Sequence, residues 1–194
     1  VIGSLEDCKT VKEDIKNYLK EALKLELSDE KTLITNAQKP AKFLGFDIFI
    51  RRSNDLRKDI NGKTIRSLGH VPVLYLNYET MRKKLFDYKA ARIAVENGKE
   101  IWKSIVRTYM IDLDDLEIVS QFNAEIRGFY NYYSIANNSP AINSFYHIMS
   151  YSMYKTFARK YKSSVKKILF QYKKDGTFKV AYENSKGKTL YQSF

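Results

Sequence analysis

The stretch from Asp115 to Ser134 carries side chains that can bind nucleic acid. Arg127 and Asn131 offer donors and acceptors that can reach phosphates or base edges. Tyr130 and Tyr132 offer rings on which unpaired bases can stack. Residue types in this combination indicate a surface that faces RNA.

The same stretch has the spacing of an amphipathic helix. Mostly apolar residues recur three and four positions apart, namely Leu116, Val119, Asn123, Ile126, Tyr130 and Tyr133. This stripe predicts a helix with one face against a core. Asp112, Asp114 and Asp115 precede it, where carboxylates can cap the free amides of the first turn. A mid-helix Gly costs about 1 kcal/mol relative to Ala, so Gly128 indicates either a neighbouring helix seated against it or a close approach of RNA.

The net charge of +12 is unevenly distributed along the 194 residues. Residues 37–111 carry 16 basic and 7 acidic side chains, and residues 139–194 carry 11 and 2, so each segment has a net charge of +9. Residues 1–36 and 112–138 have net charges of −2 and −4. Such clustering favours a polyanionic partner whose binding weakens with salt. The alternative is a solvated basic face without a partner.

Several classes of protein are disfavoured by the composition. A single cysteine, Cys8, rules out a disulfide framework, and two isolated histidines, His70 and His147, cannot build a His/Cys metal site of ordinary spacing. No run of about 18 apolar residues is present, and Val1-Ile2-Gly3 is too short for a signal peptide. We therefore expect no metal ion bound by this chain, no membrane span and a reducing, cytoplasmic location.

The first 76 residues predict a helix and several short strands. Ser4 and Asp7 form a capping-box pattern ahead of an amphipathic helix. The strand candidates, with their turn, are Thr32–Thr35, Phe43–Ile50, a hairpin around Asn61-Gly62, and Val71–Leu76. Pro72 makes the last of these an edge strand or an extended linker, and we place a domain boundary there.

The remaining residues predict mainly helices. Asn77 can cap the first of them, Ser139-Pro140 and Ser163 or Ser164 begin two more, and a hairpin around residues 185–187 ends the chain. Residues 99–111 fit a short helix or extended packing equally well. Cations suited to an RNA backbone lie on the outer faces of these helices, at Arg82, Lys83, Lys89, Lys155, Arg159, Lys160, Lys162, Lys166 and Lys167. The helix that Asn77 can cap also has the pattern of an ordinary surface helix.

Three segments resemble proteins encoded by group II introns. FNAEIRGFYNYYSIANN, Phe122–Asn138, resembles the signature of the maturase domain, domain X, of group II intron reverse transcriptases. LELSDEKTLITN and AKFLGFDIFIRR, in Leu25–Asn36 and Ala41–Arg52, resemble the last two conserved blocks of the polymerase palm. The resemblance covers most of the chain, with residues 53–110 and 175–194 matching only loosely.

The resemblance assigns roles to particular residues. Lys31 would assist departure of pyrophosphate during nucleotide addition, and Phe43, Leu44 and Gly45 would grip the primer. RNA contacts would come from Asn123, Arg127, Tyr130, Asn131 and Tyr132 of domain X. The family's catalytic aspartates, including a Tyr-x-Asp-Asp motif, are not in this sequence. We therefore expect Mg²⁺ to serve the complete polymerase and the chain alone to synthesise nothing.

These observations predict an α+β fold. Residues 1–72 are interpreted as the end of a reverse-transcriptase palm with a basic hairpin, and residues 73–194 as a mainly α-helical bundle of thumb and domain X. The expected function is binding of group II intron RNA to promote splicing, with primer–template grip in a longer protein. A homodimer through the exposed palm edge is a further expectation. Two alternatives stay open, half of a split polymerase completed by a second chain and a structural helical module that binds protein.

Overall fold

A computed structural model of the chain describes residues 3–52, 56–66 and 70–194. The chain divides into two compact units. Unit 1 comprises residues 1–42 and 48–72, and unit 2 comprises residues 43–47 and 73–194. The described residues form both helices and strands, which confirms the α+β class. The identification of a palm remnant, a thumb and domain X stays a prediction.

Five helices and ten strands are found in the described part of the chain. The helices are α1 (Leu5–Ala22), α2 (Tyr78–Asp87), α3 (Asp115–Tyr133), α4 (Ile142–Lys160) and α5 (Val165–Tyr172). The strands are β1 (Ala41–Phe43), β2 (Phe46–Arg51), β3 (Leu56–Lys58), β4 (Thr64–Arg66), β5 (Val71–Leu76), β6 (Ala91–Glu96), β7 (Lys99–Ser104), β8 (Lys173–Lys174), β9 (Thr177–Glu183) and β10 (Thr189–Ser193). Short 3₁₀ helices at Thr108–Met110 and Ser139–Ala141 precede α3 and α4. None of the described helices has the length and apolar character that a membrane crossing requires.

Helix α1 begins at the predicted capping box. The Asp7 amide donates to the Ser4 hydroxyl at 3.2 Å, and the Ser4 amide donates to the Asp7 carboxylate at 2.7 Å. None of the residues of α1 is buried. The predicted strand at Thr32–Thr35 is wrong, because β-branched residues favour a strand only where a neighbour supplies a hydrogen-bond ladder. The described chain supplies none there, and residues 32–36 are irregular.

Turns with positive φ define the hairpins. Leu44 and Gly45, with φ of 50° and 82°, break the predicted strand Phe43–Ile50 into β1 and β2. Strands β1, β2 and β5 form one sheet in that order, so β5 lies at an edge as Pro72 predicted. The predicted Asn61-Gly62 hairpin is confirmed, since β3 and β4 pair antiparallel on either side of it.

A second Asn-Gly turn joins β6 to β7. Asn97 and Gly98 have φ of 52° and 73°, and the two strands pair from Ala91 with Ser104 to Glu96 with Lys99. The undecided segment 99–111 is therefore a strand followed by a short 3₁₀ helix. The helices of this region are thus joined by an unpredicted hairpin, β6–β7, while the predicted hairpin around residues 185–187 is confirmed by the antiparallel pairing of β9 with β10.

Helices α3, α4 and α5 pack around the core of unit 2. Asn77 caps α2 by accepting from the Glu79 amide at 2.8 Å, and Ser164 caps α5. The rings of Phe129 and Phe145 stack with centroids 3.9 Å apart, which joins α3 to α4. Strand β9 adds Phe178 to the same core. The fully buried apolar residues at its centre include Leu85, Met110, Ile118, Phe122, Phe145, Met149, Met153 and Phe157.

The buried face of α3 shares Val119 and Tyr133 with the predicted stripe and otherwise differs from it. Its buried residues are Ile118, Val119, Phe122, Phe129 and Tyr133, whereas Tyr130 is 55% exposed. The sequence contains two overlapping apolar stripes, one that includes Phe129 and one that includes Tyr130, because both residue types fit an apolar pattern. Packing of Phe129 on Phe145 selects one of them, and Tyr130 turns to the surface.

Candidate nucleic-acid interface

The exposed face of α3 carries the predicted RNA-facing residues Arg127, Tyr130 and Asn131. A Cβ atom added at Gly128 would meet no described atom within 4 Å. The interpretation that Gly128 seats a neighbouring helix is therefore wrong within the described chain. What remains is an exposed strip of helix whose backbone a ligand can approach closely at Gly128.

Asn123 and Tyr132 take part in internal hydrogen bonds. The Asn123 side-chain amide donates to the Ser193 carbonyl at 2.7 Å and holds β10 against α3. The Tyr132 hydroxyl donates to the Leu44 carbonyl at 3.1 Å, and its ring stacks on Phe46 with centroids 5.7 Å apart. Both side chains therefore have structural partners in addition to any contact with RNA.

The turn predicted to grip the primer is fixed by the helices of unit 2. The Thr80 hydroxyl donates to the Gly45 carbonyl at 3.1 Å, beside the contact of Tyr132 with Leu44. A Cβ at Gly45 would lie 2.6 Å from the Tyr133 hydroxyl, so glycine is required by space as well as by its positive φ. The side chains of Phe43 and Leu44 remain 58% and 66% exposed.

The predicted cations near α2 differ in their surroundings. Arg82 pairs with Glu100 at 3.1 Å and Glu79 at 3.5 Å. Lys89 lies over the Tyr109 ring, with its Nζ 5.5 Å from the centroid. Lys83 is exposed. Arg82 is thus largely neutralised within the chain, whereas the other two can reach a ligand.

The end of α4 borders a groove of about 740 Å³ that gathers four of the predicted cations. Its lining comprises Val106, Ile111, Asp112, Lys155, Ala158, Arg159, Lys160, Lys162, Ser163 and Val165. Lys155 donates to the Ser104 carbonyl at 2.7 Å. Lys160 donates to the Leu113 carbonyl at 2.6 Å and to the Asp115 carboxylate at 2.7 Å. We call these two lysines the wall cations.

Arg159 and Lys162 also line this groove but are exposed, and their side chains form no ion pair or hydrogen bond with any described residue. We call them the rim cations. Lys166 and Lys167, in the first turn of the adjoining α5, are exposed as well. The groove thus combines fixed positive charge in its wall with available positive charge at its rim, which suits a phosphate backbone.

Asp115 joins the ends of three helices. Besides Lys160, its carboxylate accepts from the hydroxyls of Tyr161 at 2.7 Å and Tyr172 at 2.9 Å. Burial, more than these hydrogen bonds, raises the pKa of the Tyr172 phenol well above its usual range, and burial likewise raises the pKa of Tyr161. Asp114 stands at the N-cap of α3 without a side-chain capping bond. Asp115 therefore acts in tertiary structure, which the reading of these aspartates as caps missed.

A buried ion pair escaped prediction altogether. Arg107 is fully buried, its guanidinium lies 2.7 Å from the Glu125 carboxylate, and its central carbon lies 4.0 Å from the centroid of the Phe122 ring. Its backbone amide donates to the Thr156 hydroxyl at 3.1 Å. A pair separated by 18 positions produces no periodic signal, so the sequence offered little sign of it.

Side chains of α4 bind the backbone of the segment 104–113. The Ser152 hydroxyl donates to the Ile105 carbonyl at 2.6 Å, adding to the bonds made by Lys155, Thr156 and Lys160. We call this set of four the α4 lacing. Because Val106, Ile111 and Asp112 belong to the laced segment, the lacing fixes one wall of the groove.

The catalytic candidate by resemblance, Lys31, lies in unit 1. It is exposed in a turn where its amide donates to the Ser28 carbonyl at 3.2 Å. Among the described residues, no three His, Cys, Asp or Glu side chains form a group that could hold a metal ion. The assignment of Lys31 stays a prediction.

Comparison with known proteins places the chain in a family. Residues 75–191 match the family model described as type II intron maturase. The chain is 39% identical over 189 residues to the group II intron-encoded protein LtrA of Lactococcus lactis subsp. cremoris, covering 97% of this chain and 31% of that protein. It is 34% identical over 174 residues to the putative COX1/OXI3 intron 1 protein of Saccharomyces cerevisiae, covering 84% of this chain and 20% of the relative. The chain thus spans less than a third of the length of these relatives, and it belongs to the type II intron maturase family.

Proposed function

We propose that this chain is an RNA-binding part of a group II intron maturase, and that unit 2 holds intron RNA in a form that favours splicing. The observation that carries the proposal is the groove beside α4. Four cations line it, against one carboxylate, Asp112. Membership of the type II intron maturase family supports intron RNA as the polyanion.

The groove is suited to the RNA backbone rather than to bases. In its wall, Lys155 donates to a backbone carbonyl that leaves its charge unneutralised, whereas Lys160 also pairs with the Asp115 carboxylate. The rim cations lack internal partners in the described chain, so contact with phosphate would cost no existing ion pair. Such contacts fix position and orientation, while sequence is read elsewhere.

The exposed face of α3 supplies the complementary contacts. Tyr130 offers a stacking face, and Arg127 and Asn131 lie within a turn of it on the same helix. The open space at Gly128 lets a nucleotide approach the helix backbone. Stacking of a base on an aromatic ring contributes about 1–3 kcal/mol, so this face can favour RNA with unpaired bases.

Fluorescence anisotropy with a structured intron RNA and with an unrelated RNA of equal length tests the proposal. We expect the double variant Arg159→Gln/Lys162→Gln to bind intron RNA roughly tenfold more weakly, with a salt slope reduced by about one for each cation. Lys186→Gln/Lys188→Gln removes the same charge from exposed sites elsewhere in unit 2 and is the matched control. An equal loss in both variants, or equal affinity of the wild type for both RNAs, would leave only a non-specific basic surface.

A second function, gripping the primer, is favoured by the turn at Leu44 and Gly45. Its two carbonyl groups are held by Tyr132 and Thr80 while Phe43 and Leu44 project. We propose that these two side chains contact the primer–template in a longer protein that supplies the missing catalytic carboxylates and their Mg²⁺. Leu44→Asn suits the positive φ and should weaken primer–template use by that full-length protein without changing intron RNA affinity. An unaltered KM for primer–template would oppose this role.

A further inference from the structure

The hairpin of residues 56–66 in unit 1 is exposed on both faces. Its sequence, LRKDINGKTIR, contains four basic residues and one acidic residue. All of its described side chains are exposed except that of Asp59, which is half-buried, and the side chain of Arg66 lies outside the described set. We call this segment the basic hairpin.

The single carboxylate of the basic hairpin does not neutralise its cations. Asp59 accepts from the backbone amides of Asn61 at 2.9 Å and Lys63 at 2.8 Å, so it shapes the turn. The side chains of Arg57, Lys58 and Lys63 form no ion pair with any described residue. The hairpin is therefore a positively charged ribbon with a hydrogen-bonded, preformed tip.

The pairing register distributes these charges over both faces. Arg57 lies opposite Ile65, and Lys58 lies opposite Thr64. Because cross-strand partners share a face and successive residues alternate, Arg57 and Lys58 project from opposite faces. At the tip, Ile60 is 100% exposed, a position in which a β-branched apolar side chain gains nothing from the protein itself.

We propose that the basic hairpin inserts into the major groove of B-form DNA. A major groove about 12 Å wide admits a two-stranded ribbon, and a ribbon in that groove has phosphates on either side, which matches cations on both faces. The A-form major groove of duplex RNA is too deep and narrow for side chains to read. Proteins that bind single strands combine a positively charged groove with aromatic side chains on which the bases stack, and no residue between 56 and 66 is aromatic.

The length and the tip of the ribbon fit the same ligand. The three residues of each paired arm, Leu56–Lys58 and Thr64–Arg66, extend roughly 10 Å at about 3.3 Å per residue, enough to reach the floor of a groove about 8.5 Å deep. The exposed Ile60 then meets the base edges, where the thymine methyl group is the apolar feature. The proposal concerns unit 1 and does not depend on RNA binding by unit 2.

Anisotropy measurements on the whole 194-residue chain with a labelled DNA duplex of about two helical turns, and with an RNA duplex of matched sequence, test the proposal. Arg57→Gln/Lys58→Gln/Lys63→Gln is expected to weaken DNA binding at least tenfold and to reduce its salt slope by about one for each cation. The triple variant Lys9→Gln/Lys20→Gln/Lys39→Gln removes the same charge from exposed sites in unit 1 and should retain DNA affinity within twofold. Intron RNA binding should be unchanged in both.

Ile60→Ser keeps every charge and should weaken binding severalfold on a duplex rich in thymine while leaving the salt slope intact. Unchanged DNA affinity in the hairpin triple variant would overturn the proposal. So would an equal loss in the Lys9/Lys20/Lys39 control, or tighter binding of the RNA duplex than of the DNA duplex. Because unit 2 variants at Arg159 and Lys162 are expected to affect intron RNA alone, failure of one proposal is distinguishable from failure of the other.

Discussion

The groove beside α4 contains two kinds of cation that look alike in the sequence. The wall cations Lys155 and Lys160 donate to backbone carbonyls, whereas the rim cations Arg159 and Lys162 form no such bond with described residues. All four lie within eight positions of one another. A lysine can therefore build a binding surface without being the residue that touches the ligand, and counting cations overstates the number of phosphate contacts.

Helical geometry alone does not explain the division, because Lys155 in the wall and Arg159 at the rim are four positions apart and share a face of α4. Ser152, Thr156 and Lys160 recur every four residues and share one face of α4, which lies against the segment 104–113. Lys155 donates to the Ser104 carbonyl, whereas Arg159, four positions later, is exposed and forms no such bond with a described residue. The backbone acceptor available at each level of the helix therefore decides whether a cation is structural or open.

The largest expected loss of stability comes from breaking the buried ion pair between Arg107 and Glu125. Glu125→Gln leaves the Arg107 guanidinium buried without its counter-charge, and we expect the free energy of unfolding to fall by about 3–5 kcal/mol. Urea denaturation measures the loss. The double variant Arg107→Met/Glu125→Leu, which removes both charges, should recover most of it. A loss below about 1 kcal/mol in the single variant would mean that water or other groups already compensate the charge.

A smaller loss of stability should distinguish wall from rim. Lys160→Met leaves the Leu113 carbonyl and the Asp115 carboxylate with one donor fewer, and we expect the free energy of unfolding to fall by about 1–3 kcal/mol. Arg159→Gln should change it by less than about 0.5 kcal/mol while reducing the salt slope of RNA binding. An equal reduction of the salt slope of RNA binding by Lys160→Met and Arg159→Gln would contradict the distinction between wall and rim cations.

The Asp115 cluster makes stability sensitive to alkaline pH. Burial raises the pKa of Tyr172 in the folded state, so its neutral phenol stabilises the fold below the ordinary tyrosine pKa of about 10. That contribution is lost as pH rises above this value, because the unfolded chain releases the proton first. Thermal unfolding between pH 9 and 11 should therefore show a shallower decline in Tyr172→Phe than in the wild type. Tyr130→Phe, at an exposed site, is the control and should keep the wild-type slope.

The smallest expected change in stability is at Gly128. A variant there tests whether the exposed face of α3, like the rim cations, contacts RNA. Gly128→Ala meets no described atom and should raise the free energy of unfolding by about 0.5–1 kcal/mol, since alanine favours the helix. If RNA approaches the backbone closely, the same methyl group should weaken intron RNA binding severalfold. A more stable variant with unchanged RNA affinity would remove this face from the interface.

Local patterns in the sequence correctly predicted helix caps and turns, because these features depend on residues close together in the chain. The capping box at Ser4, the turn at Asn61-Gly62 and the cap at Asn77 each follow from contacts spanning four residues or fewer, and each is confirmed. The hairpin at Asn97-Gly98 had the same dipeptide signal, but its flanking strands mix charged and apolar residues without clean alternation. Local chemistry thus marked turns more reliably than it marked the strands that the turns connect.

Contacts between residues far apart in the sequence determine which helix face is buried and which cations are exposed, and local patterns could not predict them. Which stripe of α3 is buried depends on Phe145, and whether Lys160 is open depends on Asp115, 45 positions away. Asn123 and Tyr132 were predicted to contact RNA, and their bonds to Ser193 and Leu44 arise from the tertiary fold. Residue type identified which side chains were able to bind RNA, while packing determined which of them were left available.

The α4 lacing affects which positions can vary in sequence among members of the family. Its bonds run from side chains of α4 to backbone atoms of the segment 104–113, and every amino acid at Ser104, Ile105 or Leu113 presents the same carbonyl oxygen. Apart from the buried Arg107 and Met110, that segment can therefore diverge in sequence while the groove wall keeps its position. Substitutions at Ser152, Lys155 or Lys160 have no such freedom. Among relatives, we expect sequence variation at Ser104, Ile105 and Leu113 and conservation of Ser152, Lys155 and Lys160 in α4.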